Sequence, residues 1–151
     1  MSVRDRLTTL GIVLPGVAAA AGSYLPTARS GDLLFTAGQL PFVDGALPAT
    51  GLVGAEVSAE DANGYARLAA LNLLAAVDAA VGLDAVVRVV KLVGFVASAP
   101  GFTGQPGVIN GASDLMAEVF GEAGRHARSA VGVASLPLGA PVEVEGILQV
   151  R

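Results

Sequence analysis

The chain has 151 residues, a formal net charge of −4, no cysteine and one histidine. This length fits a single domain, residues 1–151, that can bury a substantial core. The composition excludes disulfides, a thiolate nucleophile and metal sites built from Cys or several His. The chain also has no cluster of Lys or Arg, which argues against nucleic acid as a partner, because basic side chains on phosphates supply most of that affinity.

The N-terminal third is predicted to contain one helix and two strands. Ser2–Leu10 has a capping serine and is followed by Gly11, as expected of a short helix. Val17–Ala21 predicts a short strand. Leu33–Ala37 predicts a buried strand that ends at Gly38, where the missing side chain lets another group approach the backbone closely.

Secretion and membrane insertion are both disfavoured. No window approaches the roughly 18 to 20 uninterrupted apolar residues that a membrane-spanning helix needs. Arg4 and Arg6 precede the apolar stretch Leu10–Ala21, as in a signal peptide, but Asp5 and Pro15 interrupt that pattern. We therefore expect an intracellular, cytoplasmic protein.

The middle of the chain predicts two amphipathic helices separated by a long strand. Ser58 and Asp61 resemble a capping box that opens a helix running to about Val81. Ala85–Ala97 alternates and is rich in valine, which predicts a strand with Gly94 as a bulge. The second helix follows a Gly/Pro-rich loop that extends to Pro106.

The last quarter of the chain, His126–Val150, is predicted to form a β-hairpin. A run of alternating small and β-branched residues precedes the turn residues Leu136–Gly139, and a run in which valine and glutamate alternate follows them. Such a hairpin places Arg128 near the start of one strand and Glu143 near the start of its partner.

The order strand, strand, long helix, strand, helix, strand, strand predicts an α+β sandwich with two helices on one face of a mixed sheet. The residues of the opposite sheet face are too apolar to be left in water. We infer that this face packs against other copies of the chain.

Two charged residues are the main candidates for chemistry. Arg128 carries a planar, permanently charged fork that can bind a carboxylate with two hydrogen bonds, although a lone Arg commonly forms a surface salt bridge instead. Glu143 and Glu145 lie on one strand face by alternation. Glu143 is either a general acid/base near the Arg or part of a solvated strand face.

Three other polar residues are weaker candidates. The Tyr24 hydroxyl follows Gly22 and Ser23 and is suited to orient a ligand, although packing is the commoner role. Asn110 is placed near the start of the second helix, where capping would explain it. His126 lacks an evident Ser, Cys or metal partner and is interpreted as structural.

Together these segments resemble the RidA (YjgF/YER057c/UK114) family, also labelled endoribonuclease L-PSP. The matching pieces are Gly22–Tyr24, Thr36–Pro41, Asn110 and, most specifically, the C-terminal signature Ala127–Glu145. The resemblance covers residues 20–151 and fits the longer branch of the family, with residues 1–17 as an N-terminal extension.

The resemblance implies a chorismate-mutase-like α+β fold that assembles as a homotrimer, with ligand sites in clefts between subunits. It implies hydrolysis of 2-imino acids, released by pyridoxal-phosphate enzymes, to 2-oxo acids and ammonia. No cofactor is implied, because an imine carbon is already electrophilic. Arg128 would bind the substrate carboxylate and Glu143 would handle protons or position water. Tyr24 and Asn110 would help place the ligand, and the backbone at Gly38 would line the pocket.

Two positions depart from the family pattern. Ala130 occupies a position where many deaminase members have Cys, and His126 occupies one where Pro is common. The missing thiol makes the pocket larger and less polar, so a non-catalytic trimeric module that binds small carboxylates is an alternative. A ribonuclease is less well supported, because the acidic chain lacks basic stripes and aromatic platforms for RNA. Chorismate-mutase-type isomerisation would rest on the shared fold alone.

Overall fold

The computed structural model describes residues 1–20 and 22–151. Five strands of the described chain form one mixed sheet in the order β1-β2-β5-β3-β4. β3 and β4 run parallel, and the other neighbours are antiparallel. The elements are α1 (Val3–Leu10), β1 (Thr27–Ser30), β2 (Leu33–Thr36), α2 (Ala59–Val81), β3 (Val86–Ala97), α3 (Gln105–Phe120), β4 (Ala127–Val133) and β5 (Val142–Val150).

Both long helices pack on the same face of the sheet, so the predicted α+β arrangement is confirmed. α2 covers β5 and contacts α3, which itself lies over β3 and β4. Fully buried aliphatic side chains between these layers form the core, among them Leu73, Leu92, Ile109, Leu115 and Leu148. α2 is long and apolar enough to cross a bilayer by length and composition, but half of that stretch is buried inside the protein, as in a core helix.

The predicted helix boundaries are largely confirmed because their caps form. The Ser2 side chain and Asp5 make a reciprocal capping box at α1, and Gly11 ends the helix in the left-handed region. The Ser58 hydroxyl accepts a hydrogen bond from the Asp61 N–H at 3.1 Å and opens α2. α3 begins at Gln105, slightly earlier than predicted.

The predicted C-terminal hairpin is wrong, because β3 lies between β4 and β5. The unit β3-α3-β4 is a parallel crossover, which places β4 on the outer edge of β3. β5 then pairs antiparallel with the other edge of β3. The connecting segment 134–141 is long enough to cross one strand, because neighbouring strands lie only about 5 Å apart. The alternation of residue types along β4 and β5 does not reveal that β3 lies between them.

The predicted strand Val17–Ala21 is also wrong. Residues 17–20 belong to no strand, and Ala21 lies outside the described residues. The first strand is β1, which pairs with β2 across a tight turn at Gly31, where φ is +61°. β1 lies at the sheet edge with exposed side chains, so its sequence lacks the apolar alternation that reveals a strand.

Gly94 is not a bulge, because β3 pairs regularly with β4 and β5 around it. The register irregularities lie earlier, between Val86 and Arg88 and between Val89 and Lys91. A Cβ at Gly94 would overlap the Ile109 side chain. The glycine therefore lets α3 lie close to β3.

The face of the sheet opposite the helices is uncovered in the single chain. Phe35 is 40% exposed and pairs with Ile147, and Val131 is 44% exposed and pairs with Phe95. That this face packs against other copies of the chain stays a prediction.

Leu138 occupies the left-handed region, with φ of 60° and ψ of 14°, although it is 68% exposed. This conformation costs a non-glycine residue about 1–2 kcal/mol, and little burial offsets that cost. We expect Leu138→Asn to raise the free energy of unfolding by about 0.5–1 kcal/mol, because Asn tolerates this region better. Urea denaturation measures the change. Leu25→Asn is the matched control, since Leu25 is 75% exposed and has negative φ; an equal gain in both variants would contradict the role of strain.

Candidate functional site

A cavity of about 730 Å³ opens beside the end of β2 and contains Tyr24, Gly38 and Glu143. Its walls are mainly apolar and include Leu25, Phe35, Leu40, Phe42 and Leu138. Tyr24 is 49% exposed and precedes β1 in the chain. Three of the sequence-predicted site residues are therefore brought together.

Glu143 lies on the uncovered face of β5, half-buried between the valines of the core. Burial raises the pKa of the Glu143 carboxyl above its ordinary value of 4.5, and the neighbouring charge of Glu145 raises it further. Within the described part of the single chain no cation pairs with Glu143, so burial favours the protonated acid. Such a carboxyl can donate a proton as well as accept one.

Gly38 provides the space that the Glu143 side chain occupies. A Cβ added at Gly38 would lie 2.6 Å from Glu143 Oε1. The next residue, Gln39, fixes this geometry by exchanging two backbone hydrogen bonds with Val144, at 2.8 and 3.0 Å. The predicted close approach at Gly38 is confirmed, and the group that approaches is the candidate acid.

We expect Gly38→Ala to displace the Glu143 carboxyl and to lower activity at least tenfold, a loss of about 1.4 kcal/mol of transition-state stabilisation. The free energy of unfolding should change by less than about 1 kcal/mol, because the end of a flexible side chain can move and Gly38 has no positive φ. Steady-state kinetics and urea denaturation measure the two effects. A large loss of stability with unchanged activity would contradict this role of Gly38.

Arg128 belongs to a second cluster, where β4 meets α3. Its Nη1 donates to Asn110 Oδ1 at 2.7 Å and to Ser113 Oγ at 3.1 Å, and its Nη2 donates to the Pro106 carbonyl at 3.3 Å. Among the described residues, no carboxylate lies within ion-pair distance of Arg128. The salt-bridge interpretation of this Arg is therefore wrong within the chain, and its charge is available to an external anion.

Asn110 does not cap α3, because the helix begins five residues earlier and Gly104 is its N-cap. Its side chain instead orients Arg128. Ala130 lies two residues beyond Arg128 on the same side of β4, paired with Gly94 and packed against the core. Arg128, Asn110 and Ala130 thus form one group beside α3.

The two clusters lie on opposite faces of the sheet. Arg128 pairs with Leu92, which faces the helices, whereas Glu143 pairs with Phe95, which faces away from them. The chain alone therefore does not bring Arg128 and Glu143 to one ligand. We call the cavity group (Tyr24, Gly38, Glu143) the acid half-site and the other group (Asn110, Arg128, Ala130) the arginine half-site.

Two residues that adjoin the arginine half-site, Ser113 and His126, were missed or misjudged from sequence. Ser113 follows Asn110 by three residues, a helical spacing that places both side chains on one face of α3. This spacing is the signal by which the sequence could have identified Ser113. His126 does have a serine partner, since its Nε2 lies 3.0 Å from Ser113 Oγ. No group of three or more His, Asp or Glu side chains in the described residues could hold a metal ion.

Residues 4–145 match the family model described as "YjgF/chorismate_mutase-like, putative endoribonuclease". Protein TCP17 from Trypanosoma cruzi is 49% identical, over 99% of this chain and 94% of that protein. A crystal structure described as a "putative endoribonuclease" from Shewanella oneidensis MR-1 is 34% identical, with a TM-score of 0.96 over 99% of this chain and 100% of that one. The E. coli protein TdcF, crystallised with bound serine, is 27% identical, with a TM-score of 0.65 over 89% and 93% of the two chains.

Proposed function

This chain belongs to the YjgF/chorismate-mutase-like family, and we propose that it is a cofactor-free, cytoplasmic enamine/imine deaminase. It would hydrolyse small 2-imino acids to 2-oxo acids and ammonia. The observation that carries this proposal is the pair of half-sites: an arginine without a carboxylate partner among the described residues and a half-buried glutamic acid with a raised pKa.

The two half-sites supply the chemistry that this hydrolysis needs. Arg128 binds the substrate carboxylate through the N–H groups that protein acceptors leave unused. Glu143 gives a proton to the imine nitrogen and takes one from the water that attacks the imine carbon. Glu143 then gives its proton to the amino group of the resulting carbinolamine and takes the hydroxyl proton, so that ammonia leaves as the carbonyl of the 2-oxo acid forms. A serine-bound relative supports a small ligand that carries a carboxylate.

We infer that one ligand contacts Arg128 of one subunit and Glu143 of its neighbour in a homotrimer. Two features support this arrangement. Arg128 and Glu143 lie on opposite faces of the sheet within one chain. The uncovered apolar face, with Phe35 and Val131, offers a surface for a second copy.

The activity is tested by generating 2-iminopropanoate and 2-iminobutanoate with an amino-acid dehydratase and trapping the remaining imine with semicarbazide. The purified protein should speed imine loss in proportion to its concentration, with 2-oxo acid and ammonia formed in equal amounts. Equal trapping with wild type and with Arg128→Ala would refute the proposal.

The shared site is tested by mixing two inactive variants, Arg128→Ala and Glu143→Gln, and allowing their subunits to exchange. Random assembly would give intact Arg128–Glu143 pairs at about one quarter of the sites and so restore about that share of activity. A 1:1 mixture that stays inactive after demonstrated subunit exchange would contradict a site shared by Arg128 of one subunit and Glu143 of its neighbour.

A non-catalytic carboxylate-binding module is the second candidate. Ala130 favours it, because this side chain packs against the core and brings no reactive group to the arginine half-site. Calorimetric binding of pyruvate without any imine turnover would support this module over the enzyme.

A further inference from the structure

A directed chain of hydrogen bonds leads from Arg128 to the backbone at Gly124. Arg128 Nη1 lies 3.1 Å from Ser113 Oγ, which lies 3.0 Å from His126 Nε2. His126 Nδ1 lies 2.7 Å from the Gly124 carbonyl oxygen. A Cβ at Gly124 would overlap the Met116 carbonyl, so this turn is packed tightly onto α3 and its carbonyl is fixed.

The chemistry of each group sets the direction of every bond. The Gly124 carbonyl can only accept, so His126 Nδ1 carries the proton. In the neutral imidazole, Nε2 then has a lone pair and accepts the Ser113 hydroxyl proton. An arginine can only donate, so Ser113 Oγ turns its own lone pair toward Arg128.

This chain of bonds determines which edge of the guanidinium is free. Ser113 and Asn110 occupy both N–H groups of Nη1, and Pro106 accepts one from Nη2. Among the described residues, Arg128 Nε–H and one Nη2–H have no hydrogen-bond acceptor. Nε and Nη2 lie on one edge of the guanidinium, and N–H groups along that edge match the two oxygens of a carboxylate.

We propose that Ser113 and His126 are positioning residues that hold the guanidinium of Arg128 with its Nε–Nη2 edge presented to the ligand carboxylate. The inference rests on the proposed carboxylate-binding role of Arg128. Neither residue contacts the ligand. Without the His126 acceptor, the Ser113 hydroxyl proton is free to rotate, and the lone pair that orients Arg128 is no longer fixed.

The first experiment measures the Kd of pyruvate by calorimetry for the full-length protein and its variants. Ser113→Ala and His126→Phe should weaken binding about tenfold, the effect of one lost orienting hydrogen bond. Ser113→Thr keeps the hydroxyl and should stay within about twofold of wild type. Ser135→Ala, in an exposed loop, is the control for a neutral serine substitution.

The outcomes separate the two proposals. If Ser113→Ala binds pyruvate like wild type while Arg128→Ala does not, the positioning role is wrong and the role of Arg128 stands. If Arg128→Ala binds like wild type, or wild type does not bind, the role of Arg128 fails and the positioning role fails with it.

The second experiment uses the fact that His126 is the only histidine of the chain. The ¹⁵N NMR spectrum of the labelled imidazole should show a protonated Nδ1 and an unprotonated Nε2. Saturation with pyruvate should shift Nε2 in wild type but not in Ser113→Ala, because the serine transmits the change at Arg128. A protonated Nε2 in the neutral ring, or no response in wild type to bound pyruvate, would overturn the proposal.

Discussion

Replacing Arg128 by alanine should lower kcat/KM for 2-imino acids roughly 100- to 1000-fold, because two charge-assisted hydrogen bonds to the substrate carboxylate are lost. Arg128→Lys should recover little of this loss. A lysine keeps the charge, but it cannot donate two parallel hydrogen bonds while also satisfying Asn110 and Ser113. Initial rates of imine loss across a range of substrate concentrations measure the effect.

The effect on stability should be small by comparison. Among the described residues, Arg128 donates only to neutral acceptors at the edge of the sheet, so the free energy of unfolding should fall by about 1 kcal/mol or less. Arg125→Ala is the matched control, because Arg125 is exposed and its ion pair with Glu122 is long, at 3.8 Å. If Arg125→Ala and Arg128→Ala lowered activity equally, general charge rather than a carboxylate site would explain the result.

The residues of both half-sites could be identified from the sequence, but their location on opposite faces of the sheet could not. Tyr24, Gly38, Asn110, Arg128 and Glu143 were singled out by residue chemistry and by the family resemblance. Local alternation correctly placed Glu143 and Glu145 on one face. It could not reveal that β3 lies between β4 and β5, because strand order depends on long-range pairing. The predicted hairpin therefore brought the Arg and the Glu together within one chain.

Helices were easier to predict than edge strands for a physical reason. The caps of α1 and α2 are hydrogen bonds between residues three apart, so the residue types that form them can be recognised in a short stretch of sequence. β1 gains its structure from pairing with β2 and carries exposed side chains. The partner of His126 was missed for a similar reason, because Ser113 precedes it by a helical segment and a turn.

Glu143→Gln should lower activity roughly 100- to 10 000-fold, the usual contribution of a general acid/base. The amide has the shape of the carboxyl group and should keep the contact with Gly38. The pH profile of kcat/KM in wild type should contain an ionisation above 4.5, because burial and Glu145 raise the pKa of Glu143. That ionisation should be absent from the variant.

Glu145→Gln tests the cause of the raised pKa. It removes the weaker of the two contributions, so the Glu143 ionisation should move toward 4.5 without disappearing, since burial remains. Activity at the optimum should be largely retained. A profile that is the same in wild type and in Glu145→Gln would show that another group titrates.

Glu143→Gln should also stabilise the protein at neutral pH. Because the pKa of Glu143 is raised in the folded state, the folded protein binds more protons than the unfolded chain between 4.5 and the raised value, so stability falls as pH rises through that interval. Glutamine cannot ionise, so the variant does not lose stability over this pH interval. The Tm of Glu143→Gln should therefore match that of wild type well below pH 4.5 and exceed it near neutral pH. An inactive variant that gains stability only where the wild-type carboxyl is ionised would identify Glu143 as a residue kept for chemistry at a cost in stability, and a lower Tm at neutral pH would contradict that role.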